Sequence, residues 1–206
     1  MYRFFFKRGF DIFFSMTVLF VLFPLFLILT LLVLISLGTP VFFTQIRPGK
    51  DAVPFKMIKF RSMTNQKDGM GSLLPNKDRL TRFGAFLRSS SLDEIPEFLN
   101  VLNGDMSLVG PRPLLMDYLP FFTKEQNKRH SVKPGITGWA QVNGRNALAW
   151  PEKLKLDVWY VNNQSFLLDL KIILLTIKKV FAREEINHDG DKFMPRFDEY
   201  VKHKAK

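Results

Sequence analysis

The chain has 206 residues, which is enough for one domain with a hydrophobic core and a short additional segment. It contains no cysteine, so disulfide bonds and thiolate catalysis are excluded. The net charge of +11 at pH 7 is typical of proteins that meet an anionic partner: nucleic acid, an acidic membrane surface or a phosphorylated substrate. Between Arg47 and Arg88 there are ten Lys or Arg residues and three Asp, so we expect the anionic partner over this segment.

An almost wholly apolar segment runs from Phe10 to Leu37. As one straight helix it would measure about 42 Å, which exceeds the ~30 Å hydrocarbon core of a bilayer. It is too long for a cleaved signal peptide and lacks a small-residue cleavage site. Residues 1–38 are therefore predicted to form a membrane-embedded helix, broken at Pro24 because proline removes a helical hydrogen bond.

Basic residues flank both ends of this segment and bear on its topology. They are Arg3, Lys7, Arg8, Arg47 and Lys50. A spanning helix usually leaves one flank poor in Lys and Arg, whereas a helix that enters, bends and returns keeps both flanks on the cytoplasmic face. Many proline-kinked helices do span, so both topologies stay open, and the basic flanks favour the re-entrant one.

The rest of the chain is predicted to form one domain. Residues 41–45 and 55–60 are typical of short strands joined by a turn-rich loop, and 64–79 of an exposed loop. Helices are predicted near 81–88, 94–103, 151–163 and 166–182. The predicted fold class is α+β, mainly helical, with a short β-hairpin and an N-terminal re-entrant, Pro-kinked membrane helix. The predicted units are the membrane helix at 1–38, a domain on the cytoplasmic face at 39–182 and a charged, loose tail at 183–206.

Two later segments are unusually apolar. Residues 167–181 are apolar around most of a helical circumference, and 114–122 carry seven apolar residues around Asp117 and Pro120. Amphipathic helices in the membrane interface have this pattern, and so do buried core helices. The sequence leaves both interpretations open.

The acidic pair Asp93-Glu94 is the first candidate for chemistry. The run from Ser91 to Glu94 also matches a capping box, in which acidic residues simply favour a first helical turn. Pro96 argues against that alternative, because it would then fall where a backbone N–H is needed. If the helix starts at Asp93, adjacent side chains point about 100° apart, a geometry that would allow one carboxylate to face a phosphorus atom while the other holds a metal.

Arg112 lies between Pro111 and Pro113, which hold its backbone with little freedom. A stiff arginine suits bidentate capture of phosphate, although an arginine in an ordinary turn has the same local pattern. Lys59, Arg61 and Arg88 add positive charge to the same part of the chain or serve as solvated surface. The glycines at 135, 138 and 144 are candidates for close approach of backbone amides to a ligand.

Taken together, these motifs resemble the small monotopic phosphoglycosyl transferases, the bacterial sugar transferases that start membrane glycan assembly, and among them the short initiating enzymes of protein glycosylation. The matching stretches are FFTQIRPG at 42–49, KFRSM at 59–63, SLDEIPE at 91–97, LVGPRP at 108–113, KPGITG at 133–138 and QVNGR at 141–145. The resemblance covers about residues 1–182. One departure is Phe23-Pro24, where the family usually has Ser-Pro at the break of its membrane helix.

The resemblance implies an enzyme that transfers a sugar-1-phosphate from a UDP-sugar to polyprenyl (undecaprenyl) phosphate and releases UMP. It implies that Asp93 is the nucleophile that carries the phosphosugar and that Glu94 is the ligand of a Mg²⁺ ion. Further implied site residues are the phosphate-binding Arg112, Lys59, Arg88 and Arg145, together with Asp157, Pro113 and, at the break of the membrane helix, Pro24.

The same resemblance implies a location at the cytoplasmic face of the bacterial inner membrane, with contact to one leaflet and with downstream glycosyltransferases as partners. No nucleic-acid partner is expected. Two rival hypotheses remain: a membrane-tethered basic protein that binds anionic lipid or nucleic acid, and a phosphatase or pyrophosphatase with an aspartyl-phosphate intermediate. The first accounts for the charge and the apolar segment, but not for an acidic pair beside a proline-braced arginine.

Overall fold

The structure, a computed structural model, describes Tyr2 and residues 6–144, 148–182 and 195–204. The α-helices are α1 (Lys7–Val21), α2 (Phe23–Leu37), α3 (Asn76–Arg79), α4 (Arg82–Ser89), α5 (Glu97–Asn103), α6 (Lys124–Asn127), α7 (Trp139–Val142), α8 (Trp150–Asn163), α9 (Phe166–Ala182) and α10 (Phe197–Lys204). The strands are β1 (Phe42–Pro48), β2 (Pro54–Phe60), β3 (Ser107–Val109) and β4 (Gly135–Thr137). Short 3₁₀ turns lie at Lys50–Ala52, Leu92–Glu94, Met116–Phe121 and Lys128–Ser131.

Two pairs of strands form the β structure of the described residues. β1 and β2 make an antiparallel hairpin in which Phe42 lies opposite Phe60 and Arg47 opposite Phe55. β3 and β4 run parallel, with Val109 opposite Thr137. The predicted hairpin and the mainly helical α+β fold are therefore confirmed, while the parallel pair was not predicted.

The N-terminal helices α1 and α2 meet at Leu22 and are bent by 65° relative to each other. Pro24 occupies the first turn of α2, where its missing N–H costs nothing, and so the break falls where the sequence predicts it. Phe23 in place of the family's serine does not abolish the break. Within the described residues no single helix is long and apolar enough to cross a membrane, whereas α1 and α2 together meet that requirement of length and composition.

A polar stripe on α1 explains the few polar residues of the apolar segment. Lys7, Asp11 and Ser15 recur every four residues, therefore share one helical face, and are all buried. The ammonium group of Lys7 lies 2.6 Å from Asp169 of α9, and Asp11 accepts a hydrogen bond of 3.2 Å from the backbone N–H of Leu108. The start of α1 is thus bound to the interior of the globular part.

Aromatic packing holds α2 against the hairpin. The rings of Phe26, Phe42 and Phe60 are in contact, with centroids 5.0 to 6.0 Å apart. The same cluster contains the fully buried Val33 and Leu87. At the end of α2 the guanidinium of Arg61 donates to the carbonyl oxygens of Leu37, Gly38 and Thr39 and so caps the helix.

The two apolar segments left open by the sequence differ in the structure. The turn at Met116–Phe121 is part of a buried cluster with Tyr118, Trp150 and Phe197, which supports the core interpretation for residues 114–122. Helix α9 buries Ile172 and Ile173 on one face and leaves apolar side chains exposed on the other: Phe166, Leu167, Leu170, Leu174 and Ile177. The tail prediction is wrong at its end, because α10 packs Phe197 into the core.

The glycines at 135 and 138 pack against backbone. A Cβ atom on Gly135 would lie 2.1 Å from the backbone nitrogen of Gly110, and one on Gly138 would lie 2.2 Å from the Gly110 carbonyl oxygen. These glycines therefore allow β3 and β4 to approach each other. The prediction that they admit a ligand finds no support in this packing.

Candidate active site

The acidic pair lies in a turn between α4 and α5. Ser91 has a left-handed backbone (φ 56°) and makes no capping hydrogen bond, so the capping-box alternative is not what the structure contains. Asp93 and Glu94 belong to a 3₁₀ turn, and α5 begins at Glu97, three residues later than the predicted start at residue 94. Leu92 and Ile95 pack in the core, which anchors the turn.

This turn forms one wall of a cavity of about 660 Å³. The cavity is lined by six cationic side chains, Arg47, Lys59, Arg61, Arg79, Arg88 and Arg112, and by three carboxylates, Asp93, Glu94 and Glu97. Pro113 also lies on its wall. The predicted residues Asp93, Glu94, Lys59, Arg88, Arg112 and Pro113 are thus brought together from distant parts of the chain. The excess of positive charge makes the cavity suited to a polyanionic ligand.

Glu94 is held by two cations. The Nζ atom of Lys59 lies 2.6 Å from its Oε1 atom, and Nη2 of Arg112 lies 2.5 Å from the same oxygen. Lys59 also lies 2.9 Å from Oε1 of Glu97. Burial alone would raise the pKa of Glu94, but the charges and hydrogen bonds of Arg112 and Lys59 outweigh it and hold that pKa well below its usual range. Glu94 is therefore ionised.

Asp93 has a different environment. It is 8% exposed, and no hydrogen bond or ion pair from the described residues engages its carboxylate. Burial, followed by the negative charge of Glu94, raises the pKa of Asp93 to about 6. The same two effects raise the pKa of Glu97 to about 7. Two adjacent carboxylates thus have opposite pKa shifts, which is an arrangement typical of functional sites.

Arg88 lies at the end of α4 and is fixed by a hydrogen bond of 2.8 Å from its Nε atom to the hydroxyl of Ser62. Gly84 lets α4 approach this segment, since a Cβ atom there would lie only 1.8 Å from the Ser62 carbonyl oxygen. Burial lowers the pKa of Arg88, and the negative charge of Asp93 opposes this shift without cancelling it. Arg88 is therefore a cation that lines the same cavity as the acidic pair.

Asp157 does not lie on the cavity wall. It is buried on α8, where its carboxylate accepts two hydrogen bonds, of 3.1 and 2.8 Å, from the guanidinium of Arg129. Arg129 also donates a bond of 2.7 Å to the backbone carbonyl of Arg112. Asp157 therefore acts on the site indirectly, because it fixes the arginine that holds the Pro-Arg-Pro segment.

Arg145, the remaining predicted phosphate-binding residue, lies outside the described residues. Sequence reasoning assigned no role to Glu97, Arg129 or Ser62. Glu97 follows Glu94 by three residues, a spacing that places two side chains on one side of a helix and was an available signal. Nothing local distinguishes Arg129 or Ser62.

The carboxylates of Asp93 and Glu94 suit a Mg²⁺ ion that takes most of its ligands from substrate and water. No group of three or more His, Asp or Glu residues in the described part of the chain is arranged to hold a metal. Mg²⁺ usually takes one or two carboxylates and completes its shell with substrate phosphates and water. Glu94, with Asp93 beside it, matches this kind of site and not a cage made by protein alone, although Oε1 of Glu94 already has two cationic partners.

The sequence profile described as "Bacterial sugar transferase" matches residues 2–183. The "uncharacterized sugar transferase EpsL" of Bacillus subtilis (strain 168) is 57% identical over 163 residues, which are 79% of this chain and 81% of that protein. The "UDP-glucose:undecaprenyl-phosphate glucose-1-phosphate transferase" of Klebsiella pneumoniae is 43% identical over 87% of this chain and 41% of its own length.

A third relative is the "UDP-N-acetylgalactosamine-undecaprenyl-phosphate N-acetylgalactosaminephosphotransferase" of Aeromonas hydrophila, 39% identical over 86% of this chain. The chain spans less than half of that protein, 44%, as it does of the Klebsiella one. The profile nonetheless covers almost the whole chain, with the cavity and the acidic pair inside the matched region. The family and the enzyme class predicted from the motifs, a phosphoglycosyl transferase, are therefore confirmed, and this chain belongs to the bacterial sugar transferase family.

Proposed function

We propose that this protein transfers a sugar-1-phosphate from a UDP-sugar to undecaprenyl phosphate, with Asp93 as the nucleophile and UMP as the leaving group. The names of the relatives from Klebsiella and Aeromonas support the donor and acceptor classes. This reaction is the first membrane step of glycan or glycoprotein assembly, so enzymes that extend a lipid-linked sugar would use its product.

The observation that carries the proposal is the difference between the two adjacent carboxylates. Glu94 is engaged by Lys59 and Arg112, whereas Asp93 lies on the cavity wall without such partners in the described residues. A carboxylate that already accepts charge-assisted hydrogen bonds is a poor nucleophile, because attack would break them. Asp93 is therefore the member of the pair that is available to form a bond.

The covalent steps follow from this assignment. An Oδ atom of Asp93 attacks the sugar-bearing phosphorus, and the phosphoanhydride bond breaks as UMP leaves with the electron pair. A phosphate oxygen of the polyprenyl phosphate then attacks the same phosphorus. The acyl-phosphate bond breaks, and the carboxylate of Asp93 is restored. The cations of the cavity would offset the repulsion between an anionic nucleophile and an anionic diphosphate.

Mg²⁺ is the proposed cofactor, with Glu94 as its principal ligand from the protein. When bound, the ion would neutralise charge on the diphosphate oxygens. Arg112 and Lys59 have the complementary task, because they fix the carboxylate of Glu94 and keep it ionised.

We further propose that α1 and α2 enter the cytoplasmic leaflet of the inner membrane and return to the same face. The start of α1 contacts the globular part through Lys7, and the end of α2 contacts it through Arg61. Large apolar side chains are exposed at the bend, Phe20 and Phe23, and farther along α2, Ile28 and Ile35. The exposed face of α9 would rest in the same leaflet.

The covalent step is tested by omitting the lipid acceptor. Purified protein given a UDP-sugar and Mg²⁺ should release UMP in a burst and gain the mass of a phosphosugar on the peptide that contains Asp93. Asp93→Asn should lower turnover by more than about 10⁴-fold, as removal of a nucleophile does. Glu94→Gln should be rescued by added Mg²⁺ only in part, since it also loses its two ion pairs.

The surface variant Glu125→Gln, whose carboxylate is exposed, serves as the matched control. An adduct on Glu94 would overturn the assignment of the nucleophile. UMP release that requires both substrates would replace the covalent intermediate with direct transfer. Release of free sugar phosphate in the presence of the lipid would favour the phosphatase hypothesis.

The membrane arrangement is tested by labelling of single cysteines, which the cysteine-free chain permits. Phe6→Cys and Thr44→Cys lie before and after the two helices. An impermeant thiol reagent added to intact cells should label neither, and both should react once the cells are permeabilised. Pro24→Ala should straighten the helix and expose Phe6→Cys to the outer face. Labelling of Phe6→Cys from the outer face in a chain that keeps Pro24 would refute the re-entrant arrangement.

A further inference from the structure

Strand β1 places Arg47 on the cavity wall. Side chains alternate between the two faces of a strand, so Phe43, Gln45 and Arg47 share one face, and all three line the cavity. In the hairpin register Phe43 lies opposite Lys59, which lines the same cavity. Arg47 is therefore directed into the site by the pleat of the hairpin and does not belong to the solvated surface.

The guanidinium of Arg47 makes little use of the hydrogen-bond acceptors of the protein. Its Nη2 atom donates to the side-chain oxygen of Gln45 at 2.7 Å. Its Nε atom is enclosed and has no acceptor, and no carboxylate of the described residues lies within ion-pair distance. A guanidinium carries five N–H donors, so most of its donor capacity is unused by the protein.

Its electrostatic environment is also unfavourable. Burial, followed by the like charge of Arg112, lowers the pKa of Arg47 to about 10. Two other cations near the acidic pair are compensated, Arg112 by Glu94 and Lys59 by Glu94 and Glu97. Arg88 resembles Arg47 in having no carboxylate of the described residues within ion-pair distance, and its Nε atom donates to the Ser62 hydroxyl. A fold that encloses a positive charge beside another one, without a counter-ion, is completed by an anionic ligand.

The hydrogen-bond partner of Arg47 is a neutral side chain. Gln45 is neutral, so its amide orients the guanidinium and leaves the full positive charge in place. A carboxylate at the same position would orient it equally well but would cancel the charge. Arg61, by comparison, donates from both of its Nη atoms to carbonyl oxygens at the end of α2, although its Nε atom also has no acceptor.

We infer that Arg47, oriented by Gln45, binds a phosphate group of a substrate next to Arg112. This inference rests on the proposed function, because the donor and the acceptor are the phosphate-bearing molecules that the cavity would receive. Arg112 and Arg47 would then contact the anion from two sides, Arg112 as a cation already paired with Glu94 and Arg47 as a cation with no counter-ion.

The experiment measures ligand binding, which is independent of turnover. Detergent-solubilised protein is titrated by calorimetry with UDP, with uridine, and with farnesyl phosphate as a short soluble analogue of the acceptor. Arg47→Gln should bind UDP, farnesyl phosphate or both about ten- to a hundredfold more weakly than the wild type does. This is the range expected for one lost charge-assisted hydrogen bond. Uridine, which has no phosphate, should bind both proteins alike.

Two further variants separate binding from folding. Gln45→Glu keeps an acceptor for Arg47 and adds a negative charge, so it should weaken phosphate binding while the melting temperature stays equal or rises. Gln126→Glu is the matched control: it makes the same chemical change, and its side-chain oxygen still accepts the capping hydrogen bond from the backbone N–H of Thr123, but it lies outside the cavity lining. Arg82→Gln, an exposed arginine outside that lining, controls for lost positive charge. Both controls should bind the phosphates within about twofold of the wild type, which is the usual range for surface changes.

The three ligands also identify the source of the phosphate. Weaker binding of UDP alone assigns Arg47 to the donor, of farnesyl phosphate alone to the acceptor, and of both to a shared position. Unchanged affinity for both phosphates in Arg47→Gln and Gln45→Glu, with an active wild type, overturns the inference and leaves the proposed function standing. If the wild type itself neither binds UDP nor releases UMP, the proposed function has failed first.

Discussion

Among the buried charges of the described residues, two groups differ in how completely the protein pairs them. The first group lies where the start of α1 meets α9. Asp169 of α9 is fully buried there and accepts hydrogen bonds from Tyr2, Lys7 and Tyr160 at 2.6 to 2.7 Å. Both of its carboxylate oxygens are engaged. In the cavity, six cations meet three carboxylates, and neither Asp93 nor Arg47 has a charged partner among the described residues.

The difference indicates which buried charges serve the fold and which serve a ligand. Enclosing a charge costs free energy unless hydrogen bonds and an opposite charge compensate it. The group around Asp169 receives that compensation from the protein, so it stabilises the contact between α1 and α9. The cavity group does not, and its missing negative charge corresponds to the phosphates of the proposed substrates. Incomplete pairing therefore marks the site.

The largest stability effect is expected in the fully paired group. Asp169→Asn removes the anion that Lys7 and two tyrosines share, which should lower the free energy of unfolding by about 3–5 kcal/mol, the usual loss when one partner of a buried pair is removed. Denaturant unfolding in detergent measures it. The exposed pair of Glu125 and Lys128 is the control, and Glu125→Gln should cost less than about 1 kcal/mol. Equal losses in both variants would mean that the buried, fully paired Asp169 contributes no more to the stability of the fold than an exposed ion pair.

The cavity group should show the opposite balance of effects. Arg112→Ala is expected to lower kcat/KM by about 10²–10³, the effect of losing one charge-stabilising donor. Its side chain is 44% exposed, and Lys59 continues to hold Glu94, so the melting temperature should change little. Arg82→Ala controls for the loss of an exposed arginine. A sharp fall in melting temperature, with full turnover of the folded fraction, would make Arg112 a structural residue.

Several elements of the fold and part of the candidate site could be predicted because they depend on local sequence patterns. Two short strand-like runs around Pro48 and Gly49 predict the β1–β2 hairpin, periodicity predicts α8 and α9, and Pro24 predicts the bend. The candidate site was predicted because motifs around Asp93 and Arg112 carry their own chemistry. These features depend on residues only a few positions apart.

The rest depends on contacts between distant residues. Arg129 reaches the carbonyl of Arg112 across 17 positions and Asp157 across 28, and nothing near Arg129 in sequence indicates either contact. The start of α5 was placed three residues early, because the 3₁₀ turn and the left-handed Ser91 are set by the packing of Leu92 and Ile95. Such tertiary effects override local helix signals.

His130 provides a third case, a buried titratable group that the fold keeps neutral instead of pairing. It is 7% exposed and lies beside Phe122. Burial, followed by the charge of Arg129, lowers its pKa from 6.5 to about 4. Above pH 6.5 the imidazole is neutral in both the folded and the unfolded chain and contributes no pH dependence. As the pH falls from 6.5 to 4, only the unfolded chain takes up the proton, so the stability of the fold decreases.

The decrease that His130 causes should reach up to about 3 kcal/mol at pH 4. Asp93 and Glu97 have raised pKa values, so their contribution runs the other way, and the wild-type curve alone does not isolate the histidine. The measurement is therefore the difference in unfolding free energy between the wild type and His130→Asn from pH 8 to pH 4, with exposed His203→Asn as the control. The His130 variant should gain stability relative to the wild type as the pH falls, while the control difference stays flat. A flat difference for His130→Asn would mean that the folded chain takes up the proton at the same pH as the unfolded chain. A buried charge without a partner would then exist outside the cavity, and incomplete pairing would no longer mark the site.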